Sequence, residues 1–283
     1  METSTPTTPA IKYPIARQHQ TIQVLPQFKP IRRGRREKAV ENIYVSKDGK
    51  NKATISMFHQ LDIADQDLLL CILSIALPRE RGGVISQNSK NIELWQKLET
   101  KGIYAKWKTL CIFTTMYELN KEIGKKKNAV NFKWIIESLR RLSKTFIEIE
   151  NEKGIGGSNL LGYYINKETE KIEICLNPIS ALVILNDEKG YVLHNRRERL
   201  ELKTDVAKAL YSVLVGLISP KKKAIYSSDI FLEKVYLCKI EEESKDGKKN
   251  KRKAIKEAFQ KINKLERWKI NFYENNQVQI HRF

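Results

Sequence analysis

The sequence predicts an α+β fold: two tandem winged-helix domains behind a basic, disordered N-terminal tail. Three observations predict it. One order of elements (helix, strand, helix, helix, β-hairpin) is written twice along the chain. The two copies match at individual residues. A lysine run falls at the start of the third helix in each copy. A hairpin appended to a helix-turn-helix is what defines a winged helix.

Length and composition set the frame. The 283 residues suit two modest domains and a tail, at roughly 100–150 residues per domain. We assign residues 1–52 to a flexible basic tail, 53–186 to the first domain and 187–283 to the second. Apolar residues make up 41% of the chain, enough for real cores. Lysine and arginine number 52 against 33 aspartates and glutamates, a formal charge of +19. That excess implies an anionic partner, nucleic acid before an anionic membrane surface. An AT-rich genome inflates lysine without a binding role, but does not cluster it.

The tail opens on a Thr/Pro run, Met1–Pro9, and continues through Ile31-Arg-Arg-Gly-Arg-Arg36 with no helical period of apolar residues. Such a segment buries too little surface to offset its ordering entropy. A basic arm of this kind either contacts phosphates or is merely solvated.

The globular pattern begins near Leu61. Asp62 or Asp65 is placed to cap a helix with Leu68, Leu69, Ile72, Leu73 and Ala76 on one face, ended by Pro78. Asn91–Lys101 reads as a shorter helix around Trp95, and Leu110–Thr114 as a strand. Thr115-Met-Tyr-Glu118 has the form of a capping box and opens a helix that Gly124 stops. The next helix runs from Asn128 or Asn131 to Ser143, with Phe132, Ile135, Leu139 and Leu142 at three- and four-residue spacing. Thr145–Glu150 alternates as a strand, Asn151–Ser158 reads as a Gly-rich turn, and Leu160–Asn166 and Lys171–Leu176 follow as strands.

The order then recurs. Thr204 caps a helix through Ala207, Leu210, Leu214 and Leu217, ended by Pro220. Lys223–Tyr226 is a strand, and Ser227 or Ser228 caps a helix to Tyr236. The polar loop Glu241–Gly247 leads to a helix through Ile255, Phe259, Ile262 and Leu265. Trp268–Tyr273 and Gln277–Phe283 form a hairpin about Glu274-Asn275-Asn276. Ile112-Phe-Thr-Thr115 with Leu119 matches Ile225-Tyr-Ser-Ser228 with Leu232. Ile135, Ser138, Leu139 and Leu142 match Ile255, Ala258, Phe259 and Ile262. Two copies argue for duplicated domains rather than a solenoid.

A winged helix lays its third helix in the major groove, so positive charge is expected there. Lys125, Lys126 and Lys127 precede the first such helix, whose exposed face carries Lys133, Arg140 and Arg141. Lys248, Lys249, Asn250, Lys251, Arg252 and Lys253 begin the second, and Lys256 follows. Cations at a helix N-terminus oppose the helix dipole by a few tenths to ~1 kcal/mol each, so their placement serves something other than helix stability. One lysine run alone is a solvated face; two at equivalent positions favour double-stranded DNA. Asn128, Asn131 and Asn250 either read adenine edges or cap helices, Asn131 more as a cap than as a reader. Trp134 and Trp268 read as core anchors.

No catalytic or cofactor chemistry is expected. The chain has no G-x-x-x-x-G-K-[ST] motif, and its four histidines (His19, His59, His194 and His281) form no closely spaced metal pair. Tyr164-Ile-Asn-Lys167 superficially matches a nicking enzyme's Tyr-x-x-Lys but reads as strand. Cys71, Cys111, Cys175 and Cys238 lie dozens of residues apart, which disfavours zinc and fits a reduced, cytoplasmic compartment. No signal peptide opens the chain. The longest apolar run, Leu68–Leu77, is about half the ~20 residues a membrane span needs.

Three segments carry a family resemblance: Leu61-Asp-Ile-Ala-Asp-Gln-Asp67, Tyr117-Glu-Leu-Asn-Lys-Glu-Ile-Gly124 and Ile136-Glu-Ser-Leu-Arg-Arg-Leu142. They are joined by Leu176-Asn-Pro178, the Thr204–Pro220 helix and the basic Lys248–Lys256 stretch ending in Trp268. From Leu61 to its C-terminus the chain resembles the RepC-type replication initiators of IncQ broad-host-range plasmids. The segment before Leu61 does not match clearly. The resemblance implies binding to repeated origin sites (iterons), melting of an AT-rich neighbour, and loading of a plasmid or host replicative helicase. Self-association is left open. A tandem winged-helix transcription regulator is the alternative reading. An RNA- or ribosome-binding protein would share the charge but not the paired helices.

Overall fold

The computed structural model describes residues 11–24, 27–31, 36–45, 49–50, 52–78, 82–86, 92–152, 154–185, 190–274 and 276–283. Helix Ile63–Ala76 lies at the centre of the first half. Asp62 caps it in a complete capping box: its carboxylate accepts from the Asp65 N–H at 2.8 Å, and Asp65 accepts from the Asp62 N–H at 3.1 Å. The spacing predicts one apolar face, but the helix is buried nearly all round, Leu68 through Ala76 included. Helices Met116–Glu122, Ala129–Ser143 and Asp205–Leu217 and strand Ile15–His19 surround it.

Of two antiparallel sheets, the four-stranded one meets this helix directly and the five-stranded one lies across helix Ala129–Ser143. The five-stranded one runs Lys38–Val45, Lys52–His59, Thr145–Asn151, Gly154–Asn159, Lys101–Gly102. The four-stranded one runs Leu161–Ile165, Lys171–Leu176, Thr109–Thr115, Gly82–Ile85. The second half is simpler. Its sheet places Gln277–Arg282 between Lys222–Ser227 and Trp268–Phe272. Helices Asp205–Leu217, Ser228–Tyr236 and Lys245–Ile262 complete it. Tyr226, Phe231, Phe259 and Phe272 form an edge-to-face ladder, with successive centroids 5.5, 5.2 and 5.7 Å apart, that ties strand, helices and hairpin together.

Three expectations are corrected. The assigned tail, residues 1–52, is structured wherever it is described. Ile15–His19 pairs antiparallel with Tyr191–Asn195, and Lys38–Val45 pairs with Lys52–His59. Ile11, Tyr13, Ala16 and Ile22 are buried. The partner of Ile15–His19 lies far along the chain, so no local periodicity announces that pair. Met1–Pro9 and Arg32–Arg35 lie outside the described residues.

Second, Asn151–Ser158 is not a turn, since Gly154–Asn159 is a strand paired with Thr145–Asn151. The glycines serve close packing instead. A Cβ on Gly156 would meet the Tyr104 ring at 2.8 Å, and one on Gly157 the Phe146 ring at 2.8 Å. Third, the expected loop Glu241–Gly247 is partly helical. Ser244 caps a helix that starts at Lys245, its hydroxyl accepting from the Gly247 N–H at 3.1 Å. The hairpin residue Asn275 lies outside the described residues.

Buried charge joins the halves. Between strand Tyr191–Asn195 and helix Asp205–Leu217, the short helix Arg196–Glu201 turns two arginines into the core. Arg196 donates to Ser74 Oγ at 2.8 Å and pairs with Glu122 at 3.1 Å. Arg199 pairs with Asp67 and donates to Gln66 Oε1 at 2.9 Å, and Lys208 also pairs with Asp67. Each ion forfeits hydration worth several kcal/mol, so the network holds only with all its partners in place. One continuous apolar cluster runs through both halves.

Candidate nucleic-acid interface

The first candidate recognition helix is Ala129–Ser143. Of the two expected caps it is Asn128 that caps the helix, accepting from the Asn131 N–H at 2.8 Å. Asn131 instead donates from Nδ2 to the Lys126 carbonyl at 2.7 Å, bracing the lysine loop. Ile135, Leu139 and Leu142 are buried, which turns Lys133 and Arg140 outward.

The lysines of that loop differ from one another. Lys126 and Lys127 are exposed, and Lys127 Nζ lies 5.5 Å from the Tyr117 ring centroid. Lys125 folds back, its Nζ 3.2 Å from the centroid of Trp134, and burial lowers its pKa below the ordinary lysine value.

Arg141 departs from the expectation of an outward-facing DNA contact. Its guanidinium grips Asp65 through Nε at 3.1 and 3.2 Å and a second nitrogen at 2.7 Å, and the Asp65 side chain is fully buried. Ser138 donates to the same carboxylate at 2.6 Å, and Arg36 pairs with it at 3.1 Å. Burial alone would raise the Asp65 pKa, but these donors and charges outweigh it and hold it below the usual range. Arg141 is thus committed to the core because a buried carboxylate requires a partner.

The second candidate helix, Lys245–Ile262, buries Ile255, Ala258, Phe259 and Ile262 and exposes the opposite side. Its start at Lys245 puts Lys248–Lys253 in the second and third turns. Asp246 occupies the first turn, where a negative charge suits the helix dipole. Lys245, at the first helical position, still opposes the dipole. Lys249, Asn250, Lys253 and Lys256 are exposed, and Lys248 is half-buried.

Two neighbours are paired. Lys251 bridges to Glu243 and stands 4.8 Å from the Tyr236 ring centroid. Arg252 holds Asp229 in a two-pronged pair, both bonds 3.0 Å, which lowers the Asp229 pKa. Beside Lys253 and Lys256, a cleft of about 380 Å³ separates the helix from Phe272, Tyr273 and Asn276 of the last hairpin. Sequence reasoning passed over these hairpin residues, although an exposed Phe-Tyr pair at a turn was a signal. It also missed Asp65 and Asp67, whose place at the head of an apolar helix implied buried partners.

Trp268 is buried and donates from its ring nitrogen to Glu198 at 3.3 Å, while Trp134 is half-buried under Lys125. Cys71, Cys111 and Cys175 are buried, and burial pushes the Cys71 and Cys111 thiols up to about 12. Among the described residues no helix is long and apolar enough to cross a membrane.

This is a basic chain of mixed helices and antiparallel sheets around one continuous apolar cluster. Its sequence matches the family described as Replication protein C (RepC) over residues 15–283. The chain belongs to the RepC replication protein family. The match starts at Ile15, at the first strand, which corrects the expectation that the resemblance begins at Leu61.

No curated protein matches. Among solved structures, selenomethionine-labelled domains 2 and 3 of RctB align with a TM-score of 0.54 at 10% identity, covering 90% of this chain and 94% of that one. A second structure of RctB domains 2–3 aligns with a TM-score of 0.52 at 11% identity, covering 93% and 96%. At such identities the likeness concerns the fold.

Proposed function

We propose that the chain is a replication initiator whose halves are winged-helix modules gripping repeated duplex sites at an origin. The observation that carries this is the second half. Its sheet sets the strand following the first helix beside the last strand of a hairpin, and the exposed, lysine-rich side of the third helix borders that hairpin. The first half repeats the order with Ala129–Ser143. Two such helices suit adjacent major grooves about one helical turn apart. Distorting the DNA between them would lower the cost of opening an AT-rich neighbour. The chain is proposed to act by binding, without a cofactor or catalysis, and to pass the opened origin to a replicative helicase.

The test is duplex binding across a salt series. With six or more phosphates neutralised, log K should fall against log salt with a slope near −5 or steeper, at roughly 0.9 per phosphate. A shallow slope, or tighter binding to hairpin RNA, would remove the reading. Direct repeats beside an AT-rich segment in the neighbouring DNA separate an initiator from a transcription regulator.

A further inference from the structure

A cleft of about 520 Å³ lies where the N-terminal hairpin meets the C-terminal end of helix Ala129–Ser143. Lys133, Glu137, Arg140 and Lys144 follow one another at four-, three- and four-residue spacing and so share a helix side, and the last three line the cleft. From the hairpin come Lys38 and His59, which are cross-strand partners, with Phe58 between strand and helix. The Phe58 N–H donates to the Lys144 carbonyl at 3.4 Å, and Lys144 Nζ stands 4.8 Å from the Phe58 ring centroid. Hairpin and helix end are therefore joined.

The charges divide cleanly. Arg36 and Arg141 also line the cleft, but Asp62 and Asp65 already neutralise them. Lys38, Arg140 and Lys144 make no ion pair among the described residues, and Glu137 is the lone carboxylate among the lining side chains. His59 Nδ1 is buried and has no hydrogen-bond partner there. Burial, then the charges of Lys38, Arg141, Arg36 and Lys144, lower the pKa of this ring. An anion would relieve that repulsion. The helix C-terminus opposes an anion, but the Lys144 N–H already caps the last carbonyls.

We infer that this cleft binds a phosphate of the DNA backbone, making the N-terminal hairpin an additional grip beside the first recognition helix. It rests on the DNA-binding reading above. A volume of about 520 Å³, well beyond that of one phosphate group, and donors that are all side chains suit a diester passing through rather than an enclosed free phosphate.

The experiment follows the histidine ring resonances of the full chain, His59 being assigned with His59→Gln. Random-sequence duplex is added in one arm and inorganic phosphate in another. Duplex should raise the His59 pKa by about one unit, since a nearby opposite charge favours the charged form. The double variant Lys38→Ala/Lys144→Ala should abolish that shift. It should also weaken cognate and random duplex by the same factor and flatten the salt slope by one to two units, at roughly one per lost phosphate contact. Glu137→Gln should tighten both.

An unmoved His59 at saturating duplex, or an unaltered salt slope in the double variant, overturns the proposal. If duplex does not bind at all, the DNA-binding reading fails, and the phosphate arm decides the cleft alone. A phosphate-dependent shift lost in the double variant keeps an anion site, and no shift removes it.

Discussion

The two candidate recognition helices use their charge differently. Around Ala129–Ser143 one cation at each end is tied down, Lys125 against Trp134 and Arg141 onto buried Asp65, while Lys126, Lys127, Lys133 and Arg140 stay exposed. In Lys245–Ile262 the pairs are peripheral, Arg252 with Asp229 and Lys251 with Glu243, and Lys249, Lys253 and Lys256 stay exposed. The first helix is embedded between the central helix and a five-stranded sheet, whereas the second packs in a three-helix, three-strand unit. The same local pattern thus gives a charge two fates, set by how much protein surrounds it. A guanidinium beside a buried carboxylate is part of the core; one beside an exposed carboxylate remains available to a ligand.

The sharpest way to break this comparison is to remove one arginine from each helix. Arg141→Ala leaves Asp65 buried with Arg36 and Ser138 as its remaining partners, and should cost roughly 3–5 kcal/mol of stability. Arg252→Ala opens a half-exposed pair and should cost about 0–1 kcal/mol. Denaturant midpoints measure both. Equal losses would mean that the two arginines play the same part.

DNA affinity sharpens the same contrast from the ligand side. At least one of Arg252, Lys253 and Lys256 should reach base edges, so its alanine variant should lose ~1–3 kcal/mol on cognate duplex and relax preference at one base position. Lys248→Ala or Lys249→Ala should weaken cognate and scrambled duplex alike. In the first half, Lys133 should differ from Lys126 in the same way. Uniform effects in both helices would show that neither reads the groove.

The smallest effect per unit change tests the seam between the halves. His194 is fully buried beside that seam, its Nε2 2.8 Å from Gln23 Oε1. Burial, then the Arg199 and Arg282 charges, hold its pKa down to about 3. The unfolded chain takes up this proton near pH 6.5, so stability should fall as pH drops from there toward 3, by up to about 1.4 kcal/mol per unit. Unfolding midpoints between pH 7 and 4.5 check this, and His194→Gln should flatten the dependence. An equal slope in the variant would place the titrating group elsewhere.

What the sequence by itself determined is short-range. The Asp62, Thr115, Ser227 and Asn128 caps, the apolar spacing of the helices and the alternation of the last hairpin all act within a few residues, so they could be read before any fold was known. The excess of positive charge and its clustering were equally legible. What only the tertiary structure decided is which charges remain free, and what becomes of residues 11–59. Asp65 meets Arg141 across 76 positions and Asp67 meets Arg199 across 132. Ile15–His19 finds its strand partner at Tyr191–Asn195. Nothing local names the partner in such pairs, because their energy exists only once the chain has folded and water has left the carboxylates. That burial makes Arg141 a structural residue, and hairpin pairing gives Lys38 and His59 a place beside the helix.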